Sequence, residues 1–216
     1  MQRVATLMLV KEGMEERYQE EHRHVWPEVL AGIARYGIRN YSIFMRGRKL
    51  FSFLEVADLD AAMTMAAADP ANQRWQEHMA PLMDVGSGIK DGSTVYLEEV
   101  FCFDGHAGPM APAERVATFM QVKPGEEERY RAEHRNVWPE ILEGIERAKI
   151  RNYNIFMRGR DLYSYFEVED LDEAMAMLAA DPINQRWQEK MAPLMDMGSG
   201  IRDSTTAYLE EVFHLD

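Results

Sequence analysis

The chain has 216 residues, of which 46% are hydrophobic and 28% charged, and a formal net charge of -13. This length and composition fit one or two soluble globular domains. The acidic balance argues against nucleic acid and an anionic membrane face as partners, since both need a basic surface.

Residues 3–11 (RVATLMLVK) alternate apolar and polar at their start and read as a strand. Residues 14–36 read as a helix, because Tyr18, His22, Val25 or Trp26, Val29, Ile33 and Tyr36 recur at three- and four-residue steps. Pro27 removes a backbone donor inside that run, which predicts a kink or break near Trp26. Residues 39–46 and 49–57 read as two strands around a tight turn at Gly47-Arg48. Residues 58–68 open on an Asp suited to cap an Ala/Met-rich helix. Residues 69–83 begin a second short helix with Pro70 in its first turn and a stop near Pro81. Residues 84–93 read as a loop and 94–103 as a final strand. Cys102 is the single cysteine, so no intramolecular disulfide can form. The opening MQRVATLMLVKEGMEERYQEE does not read as a signal peptide, and no run approaches the length of a membrane helix. A cytoplasmic location is expected.

The whole pattern then repeats. Residues 3–104 align with 115–216 at a constant offset without a gap, and 72 of the 102 aligned positions are identical. The joint GHAGPMAPAE, residues 105–114, reads as a flexible linker between repeat 1 (1–104) and repeat 2 (115–216). Each repeat has the order β-α-β-β-α-β, an α+β ferredoxin-like arrangement whose sheet carries helices on one face only. A second identical sheet can cover the other face, so we expect the two sheets to pack together as an intramolecular dimeric α+β barrel. A further homodimer of the fused chain is compatible with the sequence.

Several positions could carry chemistry. Tyr18 and His22 share a helix face and recur as Tyr130 and His134. Histidine suits proton transfer near neutral pH, although a core histidine beside a packing tyrosine has the same spacing. Trp26-Pro27-Glu28, repeated as Trp138-Pro139-Glu140, could wall a pocket or simply pack the core. Asn40-Tyr41 and Asn152-Tyr153 offer donors and acceptors for hydroxyl groups, or a sheet-edge pair. Asn72-Gln73-Arg74-Trp75 and Asn184-Gln185-Arg186-Trp187 supply an indole able to cover a sugar face, or a packing Trp beside a surface ion pair. In Glu98-Glu99 and Glu210-Glu211 only one carboxylate of each pair can face a pocket. No metal is expected. His24, His78 and Cys102 become Asn136, Lys190 and His214 in the other copy, and no Cys/His set has zinc-like spacing. Neither a phosphate-binding P-loop nor a GxSxG motif is present.

The ordered set Y-x-x-x-H-x-x-x-W-P-E, N-Y, Q-R-W and E-E-V-F resembles the L-rhamnose mutarotase family, and each repeat spans nearly a whole family domain. The resemblance implies a ferredoxin-like fold that dimerises through its sheets, with no metal and no organic cofactor. It implies proton transfer by His22 and His134, pocket tyrosines at Tyr18, Tyr41, Tyr130 and Tyr153, and a sugar-stacking Trp75 and Trp187. Gln76 and Gln188 stand where some members carry a second Trp, and the loops at 84–93 and 196–205 depart from the family pattern and are expected to line the pocket mouth. The implied activity is interconversion of the α and β pyranose anomers of L-rhamnose or a related monosaccharide, by a histidine of near-neutral pKa. Tyr18 and Tyr130 would orient the sugar or relay a proton, and Asn40, Tyr41, Asn152 and Tyr153 would bind hydroxyls. Two other classes stay open: a cofactor-free oxygenase or isomerase acting on an aromatic or polyketide substrate, and a non-catalytic small-ligand-binding module.

Overall fold

The computed structural model describes residues 1–85, 94–105, 114–198 and 206–216. Most of the 84–93 and 196–205 loops and of the 105–114 linker lies outside the described residues. The chain divides into two compact units, Met1–Leu97 with Glu210–Asp216, and Glu98–Leu209.

The first unit runs β1 (Gln2–Val10), α1 (Glu15–Arg23), α2 (Pro27–Arg35), β2 (Ile38–Arg46), β3 (Lys49–Val56), α3 (Leu59–Ala68), α4 (Pro70–Met79), β4 (Met83–Val85) and β5 (Val95–Tyr96). The second unit opens with β6 (Glu98–Phe103). It continues β7 (Glu114–Val122), α5 (Glu127–Arg135), α6 (Pro139–Arg147), β8 (Ile150–Arg158), β9 (Asp161–Val168), α7 (Leu171–Ala180), α8 (Pro182–Met191), β10 (Met195–Met197) and β11 (Ala207–Tyr208). The last strand, β12 (Glu210–Leu215), returns to the first unit.

The helix expected at 14–36 is two helices. Pro27 is the first residue of α2, where its missing N–H costs nothing, and it holds Trp26 in an extended conformation (φ -61°, ψ 135°). The break sets the last turn of α1, with His22, beside Trp26. Asp58 caps α3 by accepting from the Ala61 amide at 3.0 Å, and Asp69 caps α4 through the Ala71 amide at 2.8 Å. Gly47, at φ 55°, makes the tight turn between β2 and β3.

Each unit is an antiparallel sheet. In the first the order is β12-β2-β3-β1-β4, with β5 also on β1; in the second it is β10-β7-β9-β8-β6, with β11 also on β7. The run expected as one strand, 94–103, is therefore two strands in two sheets, separated at Leu97. Repeats and units do not share boundaries: the E-E-V-F strand of each repeat completes the sheet of the other. Connection length dictates this. In the first sheet, four inter-strand steps separate β5 from the outer edge of β2, about 19 Å at the usual spacing. From Tyr96 to Glu98 the chain can reach only about 7 Å. Glu98 cannot cross its own sheet, and the equivalent edge of β8 receives it instead.

On one sheet face Val10, Leu50 and Met45 pack with Tyr18 and Val29 of the helices. A separate apolar cluster of Tyr36, Ile38, Leu54 and Ala66 lies toward the other end of the strands. Phe44, Phe51 and Phe53 are also buried, so both faces of this sheet carry enclosed side chains.

Candidate functional site

In the first unit α1 presents Tyr18 and His22 with their rings stacked at 4.1 Å. The His22 ring meets Trp75 of α4 and Phe213 of β12 edge-on, each at 5.8 Å, and Phe213 meets Tyr41 of β2 at 5.5 Å. Trp26 packs against Trp75 at 5.3 Å. The second unit repeats this arrangement. Tyr130 stacks on His134 at 4.0 Å, and the ring of His134 meets Trp187 and Phe101 at 5.9 Å each. Phe101 meets Tyr153 at 5.5 Å and Trp138 meets Trp187 at 5.3 Å. The four residue types that the sequence singled out (helix Tyr and His, strand Tyr, helix Trp) therefore come together in both units. Each site also takes a phenylalanine from the exchanged strand, a residue whose role was not apparent in the sequence.

The electrostatics of the two sites match. The Nδ1 of His22 lies 3.0 Å from the Tyr18 carbonyl, and the Nδ1 of His134 lies 3.1 Å from the Tyr130 carbonyl. A carbonyl only accepts, so these bonds put the proton on Nδ1 and leave Nε2 with its lone pair. Burial among aromatic rings lowers the pKa of both histidines to about 4, outweighing the opposing pull of the carbonyl bond and of a neighbouring glutamate. They are neutral at pH 7, which corrects the near-neutral pKa expected from the sequence. Burial pushes Tyr41 and Tyr153 up to about 12, and Tyr18 and Tyr130 well above the ordinary phenol value. All four phenols keep their protons and can donate.

In the second unit these groups wall a cavity of about 180 Å³. Tyr130, His134, Tyr153, Trp187 and Gln188 line its polar part, and Thr118 and Ser164, hydrogen-bonded to each other at 2.6 Å, lie on its sheet wall. His134 and Phe101 also border an outer recess formed by Glu99, Cys102 and Arg135. His134 thus borders both the cavity and this recess.

Asn40 and Asn152 are placed differently. Both have left-handed backbones (φ 47°) at irregularities in the β2 and β8 pairing. The Nδ2 of Asn152 donates to Glu167 at 3.1 Å, and its side-chain oxygen accepts from Asn154 at 2.9 Å. Asn152 is not on the cavity wall. Arg74 lies 3.8 Å from Glu28 on the surface, and Arg186 lies over the Trp138 ring at 5.8 Å.

One pair escaped the sequence reading. His78 bonds Glu21 at 2.7 Å beside both indoles of the first site. In the second site Lys190 pairs with Glu133, and its ammonium lies 5.3 Å from the Trp138 ring centre and 5.6 Å from that of Trp187. Both positions carry a cationic or ionisable group against the Trp pair, yet a His-to-Lys change between copies argued in the sequence only against a metal. Among the described residues no group of three or more His, Cys, Asp or Glu is placed to hold a metal ion, and no helix is long and apolar enough to cross a membrane.

Comparison with known proteins agrees with the doubled site. The sequence profile of the L-rhamnose mutarotase family matches residues 3–103 and again 115–215. The L-rhamnose mutarotase of Bacillus subtilis (strain 168) is 35% identical over 106 residues, covering 48% of this chain and 100% of its own length. That of Listeria monocytogenes EGD-e is 38% identical over 105 residues, covering 47% and 98%. A putative monooxygenase from Fusobacterium nucleatum superposes with a TM-score of 0.59 over 99% of this chain and 93% of its own, at 10% identity. One from Lactobacillus acidophilus superposes with a TM-score of 0.57 over 100% and 96%, also at 10% identity. These two likenesses concern the fold alone and agree with a duplicated ferredoxin-like α+β architecture. With two full-length family matches, each centred on a His-Tyr-Trp cluster, the chain belongs to the L-rhamnose mutarotase family, a family of isomerases, and carries its domain twice.

Proposed function

We propose that each unit interconverts the α and β pyranose anomers of L-rhamnose, with His22 and His134 as the proton-transferring groups. The observation that carries this is the cavity of the second unit, where a neutral imidazole and two protonated phenols face one small space beside an indole. The Nε2 lone pair accepts the proton of the anomeric hydroxyl. The C1–O5 bond breaks as C1=O forms, and the imidazolium returns the proton to O5. A conjugate acid with a pKa of about 4 is a strong donor, so the burial that makes His134 a weak base makes its charged form an effective acid. Rotation about C1–C2 and the reverse steps close the ring on the other face, with no net proton gained or lost. Tyr130 and Tyr153 donate hydrogen bonds to sugar oxygens, and Trp187 covers a C–H face of the ring. Tyr18, Tyr41 and Trp75 do the same in the first unit.

The test is saturation-transfer NMR on equilibrated L-rhamnose. Irradiating one anomeric proton should reduce the signal of the other when protein is added, and the transfer should disappear in the His22→Ala/His134→Ala double variant. Unchanged transfer in that variant would remove the histidines from the mechanism. No transfer with the intact protein at high concentration would remove the activity and favour an aromatic or polyketide substrate instead.

A further inference from the structure

Resting on that reading, we propose that the two sites of this chain differ in specificity for the substituent at C5 of the sugar, the first admitting a larger group than the second. Compared at the constant offset between repeats, the residues lining the second unit's cavity differ from their first-unit counterparts at only three positions. Ile141, Phe166 and Leu178 correspond to Val29, Leu54 and Ala66. Every residue of the polar part is identical, including His, both tyrosines, Trp and the Thr/Ser pair. The polar groups of the site are thus the same in both units, and the variation is confined to apolar lining positions.

The variation falls on apolar wall. Phe166 follows Ser164 by two residues on β9, about 7 Å along the strand, and Ile150 begins β8 where it pairs with Val168. In the first unit Ile38, Leu54 and Ala66 form an apolar cluster apart from the one that holds Tyr18 and Trp75, while Val29 packs in the latter and Tyr41 touches both. All three changes run the same way: the second unit has the larger side chain. The volume lost at Ala66 is offset by Tyr36, which packs in the same cluster and stands where the second unit has Ala148. The Tyr36 ring closes over Gly32 and donates from its hydroxyl to Asp69 at 2.8 Å, while the methyl of Leu178 reaches toward Gly144. Tyr36 thus restores packing at the end of α2, and on this proposal the smaller Ala66 leaves more room on the α3 side of the first site. The one alkyl group of L-rhamnose is its C5 methyl, and an apolar wall is where it belongs.

L-lyxose, L-rhamnose and L-mannose share the configuration at C2 to C4 and carry H, CH3 and CH2OH at C5, so they probe this wall alone. His134→Ala leaves only the first site and His22→Ala only the second. We expect the L-mannose to L-rhamnose ratio of kcat/KM to be about 10-fold or more higher in the His134→Ala protein, the discrimination that such small groups support. Leu178→Ala in the His22→Ala background should raise the second site's ratio. Tyr36→Ala/Ala66→Leu in the His134→Ala background should lower the first site's, and this volume-conserving exchange protects the fold. Ratios within twofold of each other, a reversed order, or exchanges that leave the ratios unmoved would overturn the assignment. Loss of turnover with all three sugars in the intact protein is a different result, which overturns the mutarotase reading and this assignment with it.

Discussion

The exchanged strands make a sharp prediction about which phenylalanine serves which histidine. Phe213 belongs to repeat 2 but packs on His22 at 5.8 Å and on Tyr41 at 5.5 Å; Phe101 belongs to repeat 1 but packs on His134 and Tyr153 at 5.9 and 5.5 Å. Aromatic contacts of this kind contribute about 0.5–1.5 kcal/mol each beyond the area they bury. Removing two of them by Phe→Ala should cost a site about 1–3 kcal/mol. If that loss falls on the reacting geometry, kcat/KM drops by about 5- to 150-fold. Single-site backgrounds separate the two cases. In a His22→Ala protein only His134 works, so adding Phe101→Ala should produce the full loss and adding Phe213→Ala should change the rate by less than about twofold. In a His134→Ala protein the pattern inverts. The assay is the rate of anomer exchange in L-rhamnose, followed by NMR, with thermal unfolding of every variant measured in parallel. If Phe213→Ala instead disables the His134 site, each repeat keeps its own last strand and the exchange is refuted.

Three further outcomes follow from the same structure. Since His22 and His134 titrate at about 4, kcat/KM should stay flat from pH 8 to pH 5 and then fall with the fraction of neutral imidazole; a fall centred near pH 6.5 would contradict the burial argument. The same shift affects stability. Between pH 6.5 and 4 the unfolded chain binds protons that the folded one does not, so stability decreases as pH drops through that window and levels off below it. The effect is at most about 3 kcal/mol per histidine, and His22→Ala/His134→Ala should flatten that part of the urea-denaturation profile. Replacing the left-handed Asn152 by Val should destabilise the protein by about 1–2 kcal/mol or more in urea denaturation, whereas Asn152→Gly, which relieves the backbone but still loses the bonds to Glu167 and Asn154, should recover part of that stability and leave KM for L-rhamnose nearly unchanged. A large rise in KM with either replacement would return Asn152 to the list of residues that hold the substrate.

What the sequence revealed and what it hid divide along physical lines. Helical spacing put Tyr18 and His22 on one face, Pro27 located the break that brings Trp26 alongside, and Asp58 marked the start of α3; these are local rules acting over three or four residues. The pKa of His22 was out of reach because it depends on Trp75 and Phe213, far away in the chain, whose rings exclude water from the imidazole. Asn40 and Asn152 read two ways in the sequence, because an amide suited to hydroxyl binding is also among the few side chains that tolerate a left-handed backbone, and the irregular pairing of β2 and β8 uses the second property. The strand exchange was hidden for a different reason. β6 and β12 share Glu-Glu-Val-Phe and pair with β8 and β2 in the same register, Glu98 opposite Met157 and Glu210 opposite Met45. With nearly identical partners, side-chain pairing distinguishes the exchanged arrangement from the unexchanged one only weakly. The choice is made by β5, two residues long, which ties the chain to β1 at one edge and leaves too little length to reach the other. An element that short has no periodicity to read, and yet it determines which phenylalanine enters which site.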